Sequence, residues 1–312
     1  MWNMLAILGP TASGKSAVAL ELARRLGAEM VSCDSMQVYR GLDIGTAKPT
    51  PAERAAVPHH LIDLLPISEP FNVARFCALA RPGLREIAAR GRSVILAGGS
   101  GLYAKALIYG VSLQPADAAL AARVWDEVQA EGGRERLLEE LRHVSPELAA
   151  AVAANPRRLA RAVEVARLTG KDLRPLAESS PAMAAGSAAT WLQIVLDPDP
   201  DLLRGRIRRR VGEMLDAGWI EETKQLVGQG LLETPTARQA LGYVLIAQFL
   251  AGVITARPEL EALLVAKTWQ YAKRQRTWFR HQHPGAVMLS VGEGDTLETL
   301  ANRILSLPQK NT

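Results

Sequence analysis

The sequence predicts an α/β fold, a parallel sheet core with helices on both faces plus a helical insertion, and three observations carry that reading. Residues 9–16 read GPTASGKS directly after the apolar run Met4-Leu5-Ala6-Ile7-Leu8. Short apolar segments then alternate with helical patterns, as expected of a parallel sheet covered on both faces. Between the third and fourth of those segments lies a long Ala-, Glu- and Arg-rich stretch with helical periodicity and no convincing strand. The core is therefore expected from 1–114 and 186–312, and the helical insertion from 115–185.

Taken in order, Met4–Leu8 is the first strand, and GPTASGKS follows the pattern G-x-x-x-x-G-K-[ST]. Glycines let such a loop curl so that successive N–H groups point at an anion, and the N-terminus of the next helix adds its dipole. The expected phosphate cradle is Gly9, Pro10, Thr11, Ala12, Ser13, Gly14, Lys15 and Ser16, a P-loop. Lys15 supplies a mobile positive charge and the Ser16 hydroxyl a ligand for Mg²⁺, which prefers oxygen donors shared with phosphates. By itself the motif reads as a site for ATP or GTP.

Residues 16–26 continue as a helix, with Val18, Leu20, Leu22, Ala23 and Leu26 near helical spacing, and Gly27 ends it. Residues 29–33 form a second strand, 93–97 a third, 191–196 a fourth and 286–291 a fifth. From Leu202 to about Gln282 the chain is helical, broken near 228–235 and 252–258. No internal repeat or low-complexity segment is apparent.

Ligands of open parallel sheets collect at the carboxyl ends of the strands. Besides the P-loop, that rule picks out residues 34–39, beginning with Asp34, and residues 98–103, GGSGLY. An aspartate after a strand is either a turn former or a carboxylate presented to the ligand. Many P-loop enzymes end a strand with an aspartate that serves Mg²⁺, whereas Gly98-Gly99 offers none, which weakens a nucleotide-triphosphatase reading.

Composition narrows the partners. Hydrophobic content of 48% with 22% charged residues suits a soluble globular chain. No apolar run approaches the roughly 18 residues of a membrane span, and the opening MWNMLAILG lacks the marks of a signal peptide. Cys33 and Cys77 have neither metal-ligand spacing nor a disulfide framework around them, so a cytoplasmic protein is expected. The formal net charge of +5 favours a polyanionic partner. Its distribution agrees: Lys267, Lys273, Arg274, Arg276 and Arg280 interleave with Trp269, Tyr271, Trp278 and Phe279 on one expected helix. There the cations suit phosphates and the aromatics mostly suit packing.

Together GPTASGKS, DSMQVYRGLDIGTAKP, PHHLID, GGSGLY and YAKRQRTWFR resemble the tRNA dimethylallyltransferases, or tRNA isopentenyltransferases, over nearly the whole chain and in the expected order. The resemblance implies transfer of a dimethylallyl group from dimethylallyl diphosphate to the N6 amine of the adenosine at tRNA position 37, 3′ of the anticodon. The cradled phosphates are then a leaving group, with Mg²⁺ as cofactor. A monomer in the cytoplasm is expected, with no membrane partner.

The chemistry agrees with that implication. Ionisation of an allylic diphosphate loads negative charge onto the leaving group, which P-loop N–H groups, Thr11, Lys15 and Mg²⁺ near Ser16 are suited to stabilise. Asp34 is assigned as the base that takes the amine proton. The family places diphosphate arginines at Arg206 or Arg210, within five arginines between 204 and 210, where Arg204 and Arg208 read as a solvated helix face. Ser100 stands where a threonine is usual and keeps the hydroxyl.

For tRNA, the resemblance carries over Asp34, Ser35, Met36, Gln37 and Ser100; Arg123; Arg157, Arg158, Leu159, Ala160 and Arg161; Gln239, Ala240, Leu241, Gly242 and Tyr243; and Lys273 and Arg274. The target adenine has to leave the anticodon stack to reach a carboxylate in a cleft. Val244 and Trp269 depart from positions that are often basic, and Ala121 from an arginine for which Arg123 is the nearest substitute. The lack of a Cys/His zinc-finger tail suggests the bacterial type.

Overall fold

A computed structural model describes residues 4–110, 115–170 and 191–308. The chain divides into two compact units, one of residues 1–110 and 180–312 and one of residues 111–179.

In the first half of the larger unit, β1 (Met4–Leu8) leads through the P-loop into α1 (Lys15–Leu26), and β2 (Glu29–Ser32) follows. Then come α2 (Pro51–Ala56), β3 (His59–His60), α3 (Val73–Ala89), β4 (Val94–Gly98) and α4 (Gly101–Ile108). Gly27 caps α1 in the left-handed conformation at φ 59°, as its place after the last apolar residue predicts. β3 was not expected: PHHLID has no apolar run, and the strand exists only because His59 and His60 pair with Met30 and Val31.

The smaller unit holds α5 (Ala118–Gln129), α6 (Gly133–Val144), α7 (Pro146–Val152) and α8 (Pro156–Thr169). Their starts are written in the sequence. Asp117, Ser145 and Asn155 each cap a helix through a side-chain oxygen, and Pro146 and Pro156 occupy first turns, where a missing N–H does no harm. Val124, Val128, Leu137, Leu141, Leu159 and Val163 form the core of this unit. Arg167 joins three helices by pairing with Glu127 and Glu140.

The larger unit resumes with β5 (Leu192–Pro198), α9 (Pro200–Asp216), α10 (Trp219–Gly228), α11 (Tyr243–Leu250), α12 (Arg257–Gln282), β6 (Val287–Val291) and α13 (Leu297–Leu305). All strands of the sheet run parallel in the order β3-β2-β4-β1-β5-β6. β1 is buried along its whole length, as a central strand covered on both faces must be. Apolar residues of α1 and α13, among them Val18, Leu22, Leu300 and Ile304, belong to one core with β1 and β5. Register then places the loops: Leu8 pairs with Gly98 and Ser32 with Ala97, so the segments after β1, β2 and β4 leave the sheet side by side.

Candidate active site

At that edge the P-loop turns through three positive-φ residues, Gly9 (149°), Ala12 (62°) and Gly14 (89°). Gly9 has no substitute, because a Cβ there would lie 2.8 Å from the Leu196 carbonyl oxygen. Lys15 Nζ donates to the Pro10 carbonyl at 3.2 Å, folding its charge over the loop.

A cleft of about 330 Å³ opens beside the loop and is lined by Thr11, Lys15, Ser16, Asp34, Ser35, Met36, Gln37, Arg210, Gln239, Leu241, Tyr271, Arg274 and Gln275, among others. It gathers side chains from loops and helices far apart in the chain. Burial, then the nearby Arg210, push the Lys15 ammonium down to about 8, with Asp34 opposing. Burial lowers Arg210 as well, against Asp34 and Glu213. The Tyr271 phenol is pushed up by burial and by Asp34. Perturbed cations beside a carboxylate in a cleft mark a candidate functional site. The neighbouring Cys33 thiol is pushed well up by burial, which keeps it inert.

Asp34 is a turn former, as one of the two readings weighed for it has it, and it also lies at the cleft. One carboxylate oxygen accepts the Met36 N–H at 2.8 Å, forming the turn, while the residue borders the cleft. Ser100 does not line the cleft; its hydroxyl accepts the Ser35 N–H at 3.1 Å and so holds the Asp34 turn in place. The Gln37 amide is engaged at both ends, accepting from Ser32 Oγ at 2.8 Å and donating to the Thr46 and Ala47 carbonyls at 3.1 and 3.2 Å.

The two arginines expected to serve the diphosphate separate. Arg210 borders the cleft, whereas Arg206 donates to the Ser13 carbonyl at 3.3 Å. With Ala12, Ser13, Gly14, Arg209 and Arg210, Arg206 lines a second cavity of about 370 Å³. Of the eight loop residues, only Thr11, Lys15 and Ser16 border the first cleft.

Several cations expected to face tRNA are spoken for. Asp197 pairs with Arg276 at 2.8 Å and with Arg280 at 2.7 Å. Arg161 donates to the Pro115 carbonyl and pairs with Glu164. Arg123, Arg157, Arg158, Lys267, Lys273 and Arg274 are exposed. Leu159 is wholly buried and seats α8 in its core, against which Ala160 packs, so Leu159 has no surface to offer RNA. Tyr243 is likewise buried, and Ala240 and Gly242 nearly so, leaving Gln239 and Leu241 as the accessible part of that segment. Arg204 and Arg208 are exposed, as read, and Arg204 also stacks over the Trp269 ring at 4.6 Å. Phe279 is core, as its helical spacing predicts.

Two residues at the site escaped sequence reasoning. Gln275 and Glu222 each bind backbone groups of the cleft's loops, and the one signal available for Gln275 is that it falls on the buried stripe of α12.

The sequence profile of the IPP transferase family matches residues 37–282. The tRNA dimethylallyltransferase of Kocuria rhizophila is 45% identical over 276 residues, covering 88% of this chain and 86% of its own. That of Thermus thermophilus is 43% identical over 287 residues, 90% of each chain. A crystal structure of the tRNA isopentenylpyrophosphate transferase from Bacillus halodurans, 37% identical, superposes with a TM-score of 0.69 over 98% of this chain and 96% of that one. Likeness of this extent in sequence and fold, in a chain whose GPTASGKS loop borders a cleft that holds a carboxylate, makes the assignment plain: the chain belongs to the IPP transferase family, alongside the tRNA dimethylallyltransferases.

Proposed function

We propose that this chain transfers the dimethylallyl group of dimethylallyl diphosphate to the N6 amine of the adenosine 3′ of a tRNA anticodon, giving N6-dimethylallyladenosine. The observation that carries the reading is the meeting of Lys15, Ser16, Thr11 and Arg210 with Asp34 in one cleft. Cations and hydroxyls suit the diphosphate, and the carboxylate suits the amine.

Departure of diphosphate from an allylic carbon builds negative charge on the leaving oxygens. Lys15 and Arg210, partly stripped of water, already stand there, so little reorganisation is needed as the charge grows. Adenine's amine is a weak nucleophile because its lone pair is shared with the ring. Asp34, hydrogen-bonded to that amine, takes its proton as the N–C bond forms. Its tie to the Met36 N–H leaves the second oxygen for this task.

The residues present fit a Mg²⁺ ion shared with the diphosphate. Ser16 and Thr11 supply hydroxyl oxygens at the cleft, and among the described residues there is no cage of three or more acidic, His or Cys ligands. Such a site suits an ion that retains phosphate and water oxygens. When bound, Mg²⁺ neutralises charge on the leaving group.

Asp34 to Gln37, Gln239, Leu241 and Arg274, at the rim and wall of the cleft, are the residues assigned to the extruded adenosine and its neighbours. Arg123, Arg157 and Arg158 of the smaller unit are assigned to backbone phosphates. Among the described residues no helix is long and apolar enough to cross a membrane.

The test is incubation of the purified chain with undermodified tRNA and dimethylallyl diphosphate, followed by nucleoside mass spectrometry. N6-dimethylallyladenosine in digested tRNA is the expected product. Prenylated AMP in a parallel reaction, with tRNA untouched, would overturn the reading.

A further inference from the structure

The buried stripe of α12 runs through Leu260, Leu264, Thr268, Ala272, Gln275 and Phe279. A glutamine in such a stripe needs partners for both ends of its amide. They come from two of the three strand-end loops. Gln275 Oε1 accepts the backbone N–H of Thr11 at 2.8 Å, and its Nε2 donates to the Gly99 carbonyl at 2.9 Å. One side chain thus bridges the P-loop and the loop after β4. The seat is shaped for it: a Cβ on Gly99 would stand 2.4 Å from Nε2, so only glycine leaves room for the amide.

Thr11 borders the cleft, so fixing its N–H fixes the angle at which this part of the loop meets a ligand. Tyr271 lies one helical turn before Gln275, on the same face, and borders the cleft too. An apolar side chain of similar size would fill the space. It would, however, leave the Thr11 N–H and the Gly99 carbonyl without the partner that orders them.

We propose that Gln275 is a positioning residue that holds the P-loop in its diphosphate-binding shape by tying the Thr11 N–H to the Gly99 carbonyl, a role that rests on the assignment of the loop to the diphosphate. Gln275 also borders the cleft, but the role proposed for it runs through the loop. The amide sets the loop, and the loop meets the ligand.

The test compares Gln275→Leu, Gln275→Glu and Lys15→Ala with the unaltered full chain. The readouts are KM for dimethylallyl diphosphate at saturating tRNA, the single-turnover rate, the number of active sites and tRNA affinity. Gln275→Leu is expected to raise KM about tenfold, the loss of one or two buried hydrogen bonds, with tRNA affinity held within about twofold. Gln275→Glu keeps the acceptor for Thr11 but sets a carboxylate against the Gly99 carbonyl; it is expected to raise KM as well, and it carries the test if the leucine variant fails to fold. Partial misfolding would lower the number of active sites and leave KM where it was, so KM separates positioning from bulk stability. KM unmoved in the Gln275 variants but raised in Lys15→Ala would overturn the proposal alone. KM unmoved in all three would overturn the assignment of the loop to diphosphate, and this role with it.

Discussion

Tyr243 donates its phenolic hydrogen to Glu222 at 2.6 Å, and the same carboxylate accepts the backbone N–H groups of Asp43, Ile44 and Gly45 at 3.1, 2.7 and 3.2 Å. The segment that begins at Tyr243 therefore serves the cleft from behind. Glu222 gathers the N–H groups of this loop while the Gln37 amide gathers its carbonyls at Thr46 and Ala47, so the wall formed by Gly45, Thr46 and Ala47 is held from both sides. Gly45 is pressed against Trp219 and the Tyr243 hydroxyl so closely that a Cβ there would lie 2.2 Å from the indole nitrogen.

The first prediction follows from that clamp. Glu222→Gln keeps the shape but turns an NH₂ group towards backbone donors, and should lower stability to chemical denaturation by about 1–3 kcal/mol; Tyr243→Phe should lower it by about 1 kcal/mol. Tyr243→Phe should leave tRNA affinity unchanged. A well-folded Tyr243→Phe variant with weakened tRNA binding would return the hydroxyl to RNA recognition.

A second prediction concerns proton uptake. The Lys15 pKa falls from 10.5 in the unfolded chain to about 8 in the folded one, so between those values the unfolded state binds more protons. This single group thus makes stability rise with pH across that window. A bound diphosphate acts in the opposite sense by favouring the ammonium. Pyrophosphate binding near pH 8 should therefore take up protons at Lys15, and affinity should weaken as pH rises past 8. Calorimetry in buffers of different ionisation enthalpy measures the uptake. The part due to the protein should vanish in Lys15→Ala; an equal uptake in that variant would assign it to another group.

What the sequence made legible follows the range of each interaction. The P-loop, the Gly27 cap, and the caps at Asp117, Ser145 and Asn155 are decided by neighbours within a few residues, and they stand where the pattern puts them. Asp34 was legible for the same reason, since its turn is local and its strand precedes it. Gln275 and Glu222 were not, because their partners lie 264 and 178 residues away and a helical Gln or Glu carries no local mark of a buried role. The ion pairs of Arg276 and Arg280 were hidden for the same reason: on the helix they look like free cations, and only the sheet brings Asp197 to them. The two-residue β3 owes its existence to pairing rather than to propensity.

A third prediction concerns the exposed arginines of α8. Asn155 caps that helix through the N–H groups of Arg157 and Arg158, leaving their guanidinium groups in solvent. Arg157→Ala with Arg158→Ala should weaken tRNA binding and flatten its dependence on the logarithm of salt concentration by up to about two units of slope, alike for cognate and non-cognate tRNA. Arg161→Ala acts differently, because its side chain pairs with Glu164 and Pro115; its loss should appear in the stability of the helical unit. Filter binding across a salt series checks the first, and thermal unfolding the second. An unchanged slope in the double variant would place the phosphates elsewhere.

The last prediction is the one on which the chemistry depends. Asp34→Asn retains an acceptor oxygen for the Met36 N–H, so the turn and the cleft wall should survive the change. What the substitution removes is the charge and the capacity to take a proton. If Asp34 is the base, both substrates still bind, and the single-turnover rate with saturating dimethylallyl diphosphate falls by roughly 10²- to 10⁴-fold, the usual contribution of a positioned general base. A loss of tRNA affinity with an unchanged rate at saturation would instead make Asp34 a recognition group that holds the extruded adenine. Near-normal values of both would reduce it to the turn it forms with Met36. Single-turnover measurement separates these outcomes because it isolates the transfer step from product release, and the intact turn ensures that what is lost is chemistry rather than shape.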